Sequence, residues 1–438
     1  MKGQGVFDGV VYMASCDKII PAMLNAAARI DLPAVVVTAG PCFAKIKPSQ
    51  SKELRQKFLR GEITERLLIE GTLDYYTGPG ICPFLGTANT MGALCESLGM
   101  MLPGGSMIPA STAMRRNQAR ASGKAVMELV RKDIRPSRIM TQEALENTVT
   151  LLSAIGGSLN ALIHLPALAA ELGLTLDWDD VAAITSKTPV LCGIVPNGDL
   201  TCVDLHYAGG IPAVLKELKD FLHGECLSVA GKTVSEILEE TPSCDRAVIH
   251  SAVQPLAKAD GIQVLYGNLA PNGALVKTSA VPKDEWIFTG TARVFDSEDD
   301  CYAAFREKKI KEGDAVIVRY EGPKGGPGMK ELHRITEIIK SIPHTVVITD
   351  GRFSGASGGL SIGYLCPEAA EGGPIALVHD GDPIHVNLPE GILLLDVPEE
   401  ELSRRKKEWT PRLEQEGKGL LLRYSRMVGT ARTGAVLL

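Results

Sequence analysis

The 438-residue chain is too long for a single ordinary hydrophobic core, so two domains are expected, each large enough to bury its own interior. Apolar residues at 45%, charged residues at 22% and a formal net charge of −6 match a globular protein and offer no broad electrostatic attraction for nucleic acid or an anionic membrane. No stretch reaches the roughly 18 consecutive apolar residues of a spanning helix, and the first residues lack the basic-then-apolar layout of a secretory signal, so the cytoplasm is the expected location.

Two short β-branched runs, "GVVYM" at 9–13 and "LPAVVVTAG" at 32–40, read as strands covered on both faces. Between them "PAMLNAAARIDL" carries Leu, Ala and Met at helical spacing behind a proline suited to a first turn. The three together predict a βαβ unit and hence a parallel sheet with helices packed on it. From about 87 to 240 the chain reads as mostly helix, with Leu, Ile and Ala recurring at i, i+3 and i+4. After about 245 the pattern changes to short strand candidates divided by Gly, Asp, Asn and Pro: "AVIHS", "IQVLYGNL", "ALVKTSAV", "WIFTGTARVF", "DAVIVRYEG", "TVVITDGRF", "PIALVHDGDPIHVNL" and "GILLLDV". The expected architecture is therefore α/β, with a parallel-sheet domain over 1–243 and a β-rich, barrel-like domain over 244–438. A charged helix over "EEELSRRKKEWTPRLEQE" near the end reads as a solvated face.

Ten cysteines are scattered without a CxxC pair, and the expectation for most of them is a reduced, buried thiol. Three groups of residues fit poorly with packing alone. Cys16-Asp17-Lys18 ends the first strand of the βαβ unit, where α/β sheets bind ligands, although a buried cysteine with an Asp–Lys pair capping the next helix accounts for it as well. Cys82 lies in "GPGICPFLGTANTM", a Gly/Pro loop ahead of a helix whose start is marked by Thr87 and Asn89. It is either an accessible thiol or an incidental residue of a turn. The stretches "YEGPKGGPGMKEL" (320–332) and "TDGRFSGASGG" (349–359) each follow a strand-like run, and each alone reads as an ordinary anion-binding loop. Neither is a Walker loop, and no G-x-G-x-x-G opens a helix after the first strand.

Taken together, these stretches resemble the dihydroxy-acid dehydratase and phosphogluconate dehydratase family. The motifs that carry the resemblance are Cys16-Asp17-Lys18…Pro21, Cys82…Thr87-Ala88-Asn89-Thr90-Met91, the segment from Glu321 to Glu331, and the segment from Thr349 to Gly355. "DLHYAGGIPAVLKEL", "LYGNLAPNGALVKTSAV" and "CPEAAEGGPIALVHDGD" are also similar, so the resemblance runs in one order over essentially the whole chain. It implies a hydro-lyase that turns a 2,3-dihydroxy carboxylate into a 2-oxo acid with an iron–sulfur cluster, [2Fe–2S] or [4Fe–4S], and Mg²⁺. Branched-chain dihydroxy-acid dehydration is the first expectation and sugar-acid (aldonate or phosphogluconate) dehydration the alternative. By position, Cys16 and Cys82 would ligate the cluster, and Asp17 and Glu331 would bind Mg²⁺. Lys18 would also bind Mg²⁺ if it is carbamylated, and Ser354 would be the base. Adjacent Cys and Asp side chains would then let one turn touch a soft metal and a hard one.

Family members carry a longer segment ahead of the Cys-Asp-Lys motif that contributes a third cluster cysteine and a further acidic Mg²⁺ ligand, neither of which maps onto this sequence. Three expectations follow: a dehydratase whose N-terminal portion is a separate polypeptide or was omitted, a shortened paralogue or subunit without turnover, or a replacement of the missing ligand by Cys42. The first two are favoured. A homodimer is what the resemblance implies, and a nucleotide-binding transferase is the reading of the glycine-rich loops if the resemblance is set aside.

Overall fold

The computed structural model describes residues 5–259, 261–339, 341–355, 358–411 and 419–437. The chain divides into two units: residues 1–161, 171–175 and 187–261 form the first, and 162–170, 176–186 and 262–438 the second. Two short pieces of the helical region thus belong with the strand-rich part. Among the described residues no helix is long and apolar enough to cross a membrane.

In the first unit, β1 (Val10–Ala14) and β2 (Ala34–Thr38) pair in parallel from Val10 opposite Ala34 to Ala14 opposite Thr38. The helix between them, α1 (Ile19–Ile30), buries Ile20, Leu24 and Ala27, the one stripe that i, i+4, i+7 spacing places on a single face. β2 is buried along its whole length, as expected. β1 differs, since its residues alternate and Val11 and Met13 are exposed, the pattern of a strand covered on one face. Helices α2 (Pro48–Leu59), α3 (Glu65–Tyr75), α4 (Thr87–Ser97) and α5 (Ala113–Lys132) follow, and α4 is buried on nearly every side. The "AVIHS" run belongs to this unit and is a turn with isolated bridges from Ile249 to Cys192 and from Ser251 to Gln254 rather than a strand.

In the second unit the strands are β3 (Gln263–Leu265), β4 (Ala274–Val276), β5 (Ile287–Phe295), β6 (Asp314–Val318), β7 (Glu331–Leu332), β8 (Val346–Thr349), β9 (Arg352–Phe353), β10 (Ser361–Gly363), β11 (Pro383–Asn387) and β12 (Ile392–Leu395). Eight of them form one mixed sheet in the order β12-β11-β5-β6-β8-β10-β4-β3. Tyr266, just after β3, exchanges backbone hydrogen bonds of 2.8 Å with Gly391 and Leu393, which brings the two ends of the sheet together as a nearly closed barrel. "PIALV" does not extend its strand; Pro374 opens a 3₁₀ turn over Pro374–Leu377 instead. The charged helix runs Glu399–Glu408, and residues 412–416 of the expected helix lie outside the described residues.

Strands β6 and β8 are buried on both faces. Ala315, Ile317, Val346 and Ile348 join the main core, while Val316, Val318 and Val347 join a second core with Cys301, Ile310 and Ile335. That second core also takes Leu332 and Phe353, which are paired in the small parallel ribbon of β7 and β9. Burying this apolar pair fixes where the flanking polar residues Glu331, Arg352 and Ser354 must lie.

Candidate active site

The first unit assembles Cys16, Asp17, Lys18 and Cys82. Cys16 follows β1 in a left-handed backbone conformation (φ 73°), which a side-chain-bearing residue adopts only where its surroundings enforce it. Its exposed thiol donates to Asp17 Oδ1 at 3.2 Å, and Lys18 Nζ pairs with Asp17 Oδ2. Burial raises the Asp17 carboxyl, but hydrogen bonds from the Lys18 ammonium and the Cys16 thiol outweigh it and bring it down to about 2. Asp17 is therefore an anion at neutral pH.

Cys82 is exposed and lies near enough to Cys16 and Asp17 for their charges to act on it. Its loop is fixed from behind by Asn89 in the first turns of α4, whose Nδ2 donates to the carbonyls of Cys82 at 2.6 Å and Phe84 at 2.9 Å. Thr87 accepts from Asn160 Nδ2 at 2.8 Å and bonds Ser158 at 2.9 Å, tying the start of α4 to the core. Desolvation first, then the neighbouring negative charges, push the Cys82 thiol upward; desolvation, then the hydrogen bond to Asp17, does the same for Cys16. Only a bound cation would make these thiols strong thiolate donors at neutral pH.

The second unit assembles Glu331, Arg352 and Ser354. Glu331 lies opposite Arg352 in the β7–β9 register, and Ser354 follows two residues later, half-exposed. Arg352 is buried and its Nε donates to the carbonyl of Met329 at 2.5 Å, so this guanidinium is engaged with the loop itself. Among the described residues nothing hydrogen-bonds the Ser354 hydroxyl.

The glycine-rich loop ahead of β7 is a cradle of backbone amides that is filled from within by buried carboxyl groups. Buried Glu368 accepts from the amides of Lys324 at 2.9 Å and Gly325 at 2.9 Å, and buried Asp350 accepts from those of Tyr320 at 3.1 Å, Glu321 at 3.0 Å and Ala369 at 2.8 Å. Burial, then the charge of Asp350, raises the Glu368 carboxyl to about 8, and burial raises Asp350 to about 6. Glycine is required where the loop folds onto itself: a Cβ on Gly326 would lie 2.9 Å from the Glu321 backbone. Lys330 pairs with buried Glu321 at 3.2 Å, beside Glu331. Glu368 and Asp350 were not singled out from sequence, although each stands inside a stretch that was, and Asn89 was read only as marking the start of a helix.

Among the described residues no three His, Cys, Asp or Glu side chains close on one point in the way a single protein-caged ion needs. Two exposed thiols beside an ionised carboxylate suit a different pair of groups: an iron–sulfur cluster held by thiolates, and Mg²⁺, which keeps several waters and takes only one or two protein carboxylates.

Comparison with known proteins identifies the family. Residues 1–237 match the model for the dihydroxy-acid/6-phosphogluconate dehydratase N-terminal domain, and residues 247–435 match that for the C-terminal domain. The chain belongs to the dihydroxy-acid/6-phosphogluconate dehydratase family. Among its relatives in this family, the dihydroxy-acid dehydratase of Acetivibrio thermocellus is 45% identical over 442 residues, covering 98% of this chain and 80% of the relative. That of Ruminiclostridium cellulolyticum is 44% identical, and that of Pyrococcus abyssi 43%, with the same shares covered.

Proposed function

We propose that this chain is a hydro-lyase that converts a 2,3-dihydroxy carboxylate into a 2-oxo acid, with a branched-chain dihydroxy acid as its substrate. The observation that carries the reading is the grouping of Cys16, Asp17 and Cys82 in the first unit, in a chain of this family. Cys16 and Cys82 would hold an iron–sulfur cluster, and Asp17 and Glu331 would hold Mg²⁺. When bound, these groups supply Lewis acidity toward oxygen atoms of the substrate.

The residues themselves perform the proton chemistry. The C2 proton of a hydroxy carboxylate is weakly acidic, and Ser354, held as an alkoxide, removes it. The electron pair of the C2–H bond becomes the C2–C3 π bond, the C3–O bond breaks, and the departing hydroxide takes up the proton that Ser354 received, so water leaves and the alkoxide is restored. The resulting enol takes a proton from solvent at C3 and releases its O2 proton, becoming the 2-oxo acid. The Glu331–Arg352 ribbon keeps Ser354 in place through the buried Leu332–Phe353 pair. A carbamylated Lys18 would present an anion to Asp17, so it would need a cation to remain beside it. In the form described here the Lys18 ammonium fills that requirement.

The test is a substrate panel. The full chain, reconstituted anaerobically with iron, sulfide and Mg²⁺, is given 2,3-dihydroxyisovalerate and a set of aldonates, and 2-oxo acid is measured. Product from 2,3-dihydroxyisovalerate alone supports the reading. Product from an aldonate alone moves the substrate to the sugar acids, and no product with iron bound removes the activity. The same reading extends to a cytoplasmic homodimer that takes up a separate N-terminal polypeptide where one exists. Light scattering and co-purification test that part.

A further inference from the structure

Arg352 is a buried charge with most of its donors unused. The residue is 6% exposed, and its Nε donates to the Met329 carbonyl at 2.5 Å. Among the described residues none accepts from Nη1 or Nη2, and no carboxylate pairs with the guanidinium, Glu331 opposite it in the ribbon included. Neither Nη belongs to the sealed side-chain atoms that lack a partner, so the outer edge of the fork opens to solvent while its shaft is packed away. A guanidinium held in a low dielectric without a counter-ion is costly, and the group that relieves it best is an anion able to take two parallel N–H bonds.

The turn before β7 and the ribbon itself fix the fork. Met329 takes a left-handed conformation (φ 46°) directly after Gly328 (φ 88°), and the carbonyl that this turn presents is the one that holds Nε. Side chains alternate along a strand, so with Leu332 and Phe353 in the core, Glu331 and Arg352 fall on the other side of the ribbon. The same alternation assigns Ser354 to that side, about 7 Å along the chain from Arg352, in keeping with its half-exposed position. A fixed cation and the candidate base thus flank a space of the size of a short acid's head.

We propose that Arg352 receives the C1 carboxylate of the substrate, presenting its Nη1–Nη2 edge to the two oxygens while Ser354 meets the hydrogen on the adjoining C2. The inference rests on the reaction proposed above. Removing that hydrogen drives negative charge toward the carboxylate, and a guanidinium already bonded to both oxygens stabilises it without moving a proton itself. The contact recognises the head of the acid, which branched-chain and sugar acids share, and leaves the choice of tail to other residues.

The experiment compares the wild type, Arg352→Lys and Arg352→Met, each the full chain reconstituted anaerobically, with visible absorption recorded on every sample. Turnover of 2,3-dihydroxyisovalerate gives kcat and KM, and inhibition by 2-hydroxyisovalerate is set against inhibition by its uncharged amide. Arg352→Met is expected to keep the absorption, to raise KM at least about thirtyfold with a smaller fall in kcat, and to lose at least about tenfold of the preference for the carboxylate inhibitor over the amide. Arg352→Lys, which keeps the charge and loses the fork, should lie between the two. An unchanged KM and an unchanged carboxylate-to-amide preference in Arg352→Met overturn this inference and leave the proposed function standing, whereas a wild type that holds iron and turns over no dihydroxy acid overturns both. Should the variants fail to fold, the wild type is treated with 2,3-butanedione, which modifies guanidinium groups, and the Arg352 peptide is read by mass spectrometry: protection by 2-hydroxyisovalerate and not by the amide supports the inference, and equal labelling with and without the carboxylate overturns it.

Discussion

Glu331 stands directly opposite Arg352 in the short parallel ribbon of β7 and β9, with Ser354 two residues beyond. A candidate carboxylate ligand and the candidate base are thus carried on one ribbon, anchored by Leu332 and Phe353 in the core behind it.

Because Ser354 is assigned to proton removal and to no metal, Ser354→Ala should leave the visible absorption of the reconstituted protein unchanged. Turnover should fall by roughly 10²–10⁴, the usual contribution of a general base. Cys16→Ala and Cys82→Ala should lose both. Absorption spectra and initial rates on the same samples check this, and equal cluster loss in all three variants would count against the roles.

Asn89→Ala should damage the Cys82 loop without touching a thiol. It removes the donor to two carbonyls, those of Cys82 and Phe84, in a part-buried setting. Leaving such acceptors unpaired costs about 1–3 kcal/mol each. Urea unfolding should register a loss of a few kcal/mol, and iron uptake should fall as well. Unchanged stability would mean that the loop holds its shape without Asn89.

The internal cradle makes stability depend on pH. The Glu368 carboxyl titrates near 8 in the folded chain against an ordinary 4.5, and Asp350 near 6. Between pH 4.5 and about 8, the folded state keeps a proton on Glu368 that the unfolded chain has already released. Stability should therefore fall as pH rises from 6 to 8, by up to about 1.4 kcal/mol per pH unit from this group. In Glu368→Gln that slope should disappear. Parallel urea titrations of the two proteins at pH 6, 7 and 8 measure the difference, and parallel lines would remove Glu368 as the cause.

Lys277 should be a site where an apolar residue stabilises. Its ammonium is buried just after β4 and finds no hydrogen-bond partner among the described residues, and burial lowers it to about 7 from an ordinary 10.5. Lys277→Met keeps the length and removes the desolvation cost, so it should unfold at a higher temperature at pH 7. Above pH 7 the unfolded wild type still binds a proton that the folded form has lost, so wild-type stability rises toward pH 10 and the advantage of Met should shrink. Scanning calorimetry at pH 7 and 9 checks both statements. A less stable variant at pH 7 would show that the amine has a partner in solution.

Much of this arrangement was legible in the sequence where local pattern and final environment coincide. The runs that became β2, β5, β6, β8 and β12 are apolar, β-branched and closed by turn residues, and burial on one or both faces is what such runs require. Cys16, Asp17 and Lys18 stood out because three reactive side chains ended a strand. "AVIHS" misled because an apolar run of five says nothing about whether neighbours exist to pair with it; only Ile249 and Ser251 find bridges. The cradle was only half legible. Its glycines marked an anion-binding loop, but the group seated in it is the Glu368 carboxyl, more than forty residues along the chain, and such long-range contacts leave no local signature. The neighbourhood of Cys42 and Cys82 was hidden for the same reason, since it depends on the pairing of Pro41 with Ile81.

The most direct test of the central claim follows the C2 hydrogen. The reconstituted full chain is given 2,3-dihydroxyisovalerate deuterated at C2, and the early product is examined by mass spectrometry. Proton removal by Ser354 predicts a 2-oxo acid that has lost its deuterium to solvent, formed by the wild type and not by Ser354→Ala. Deuterium retained at C3, or equal product from the variant, would contradict the account.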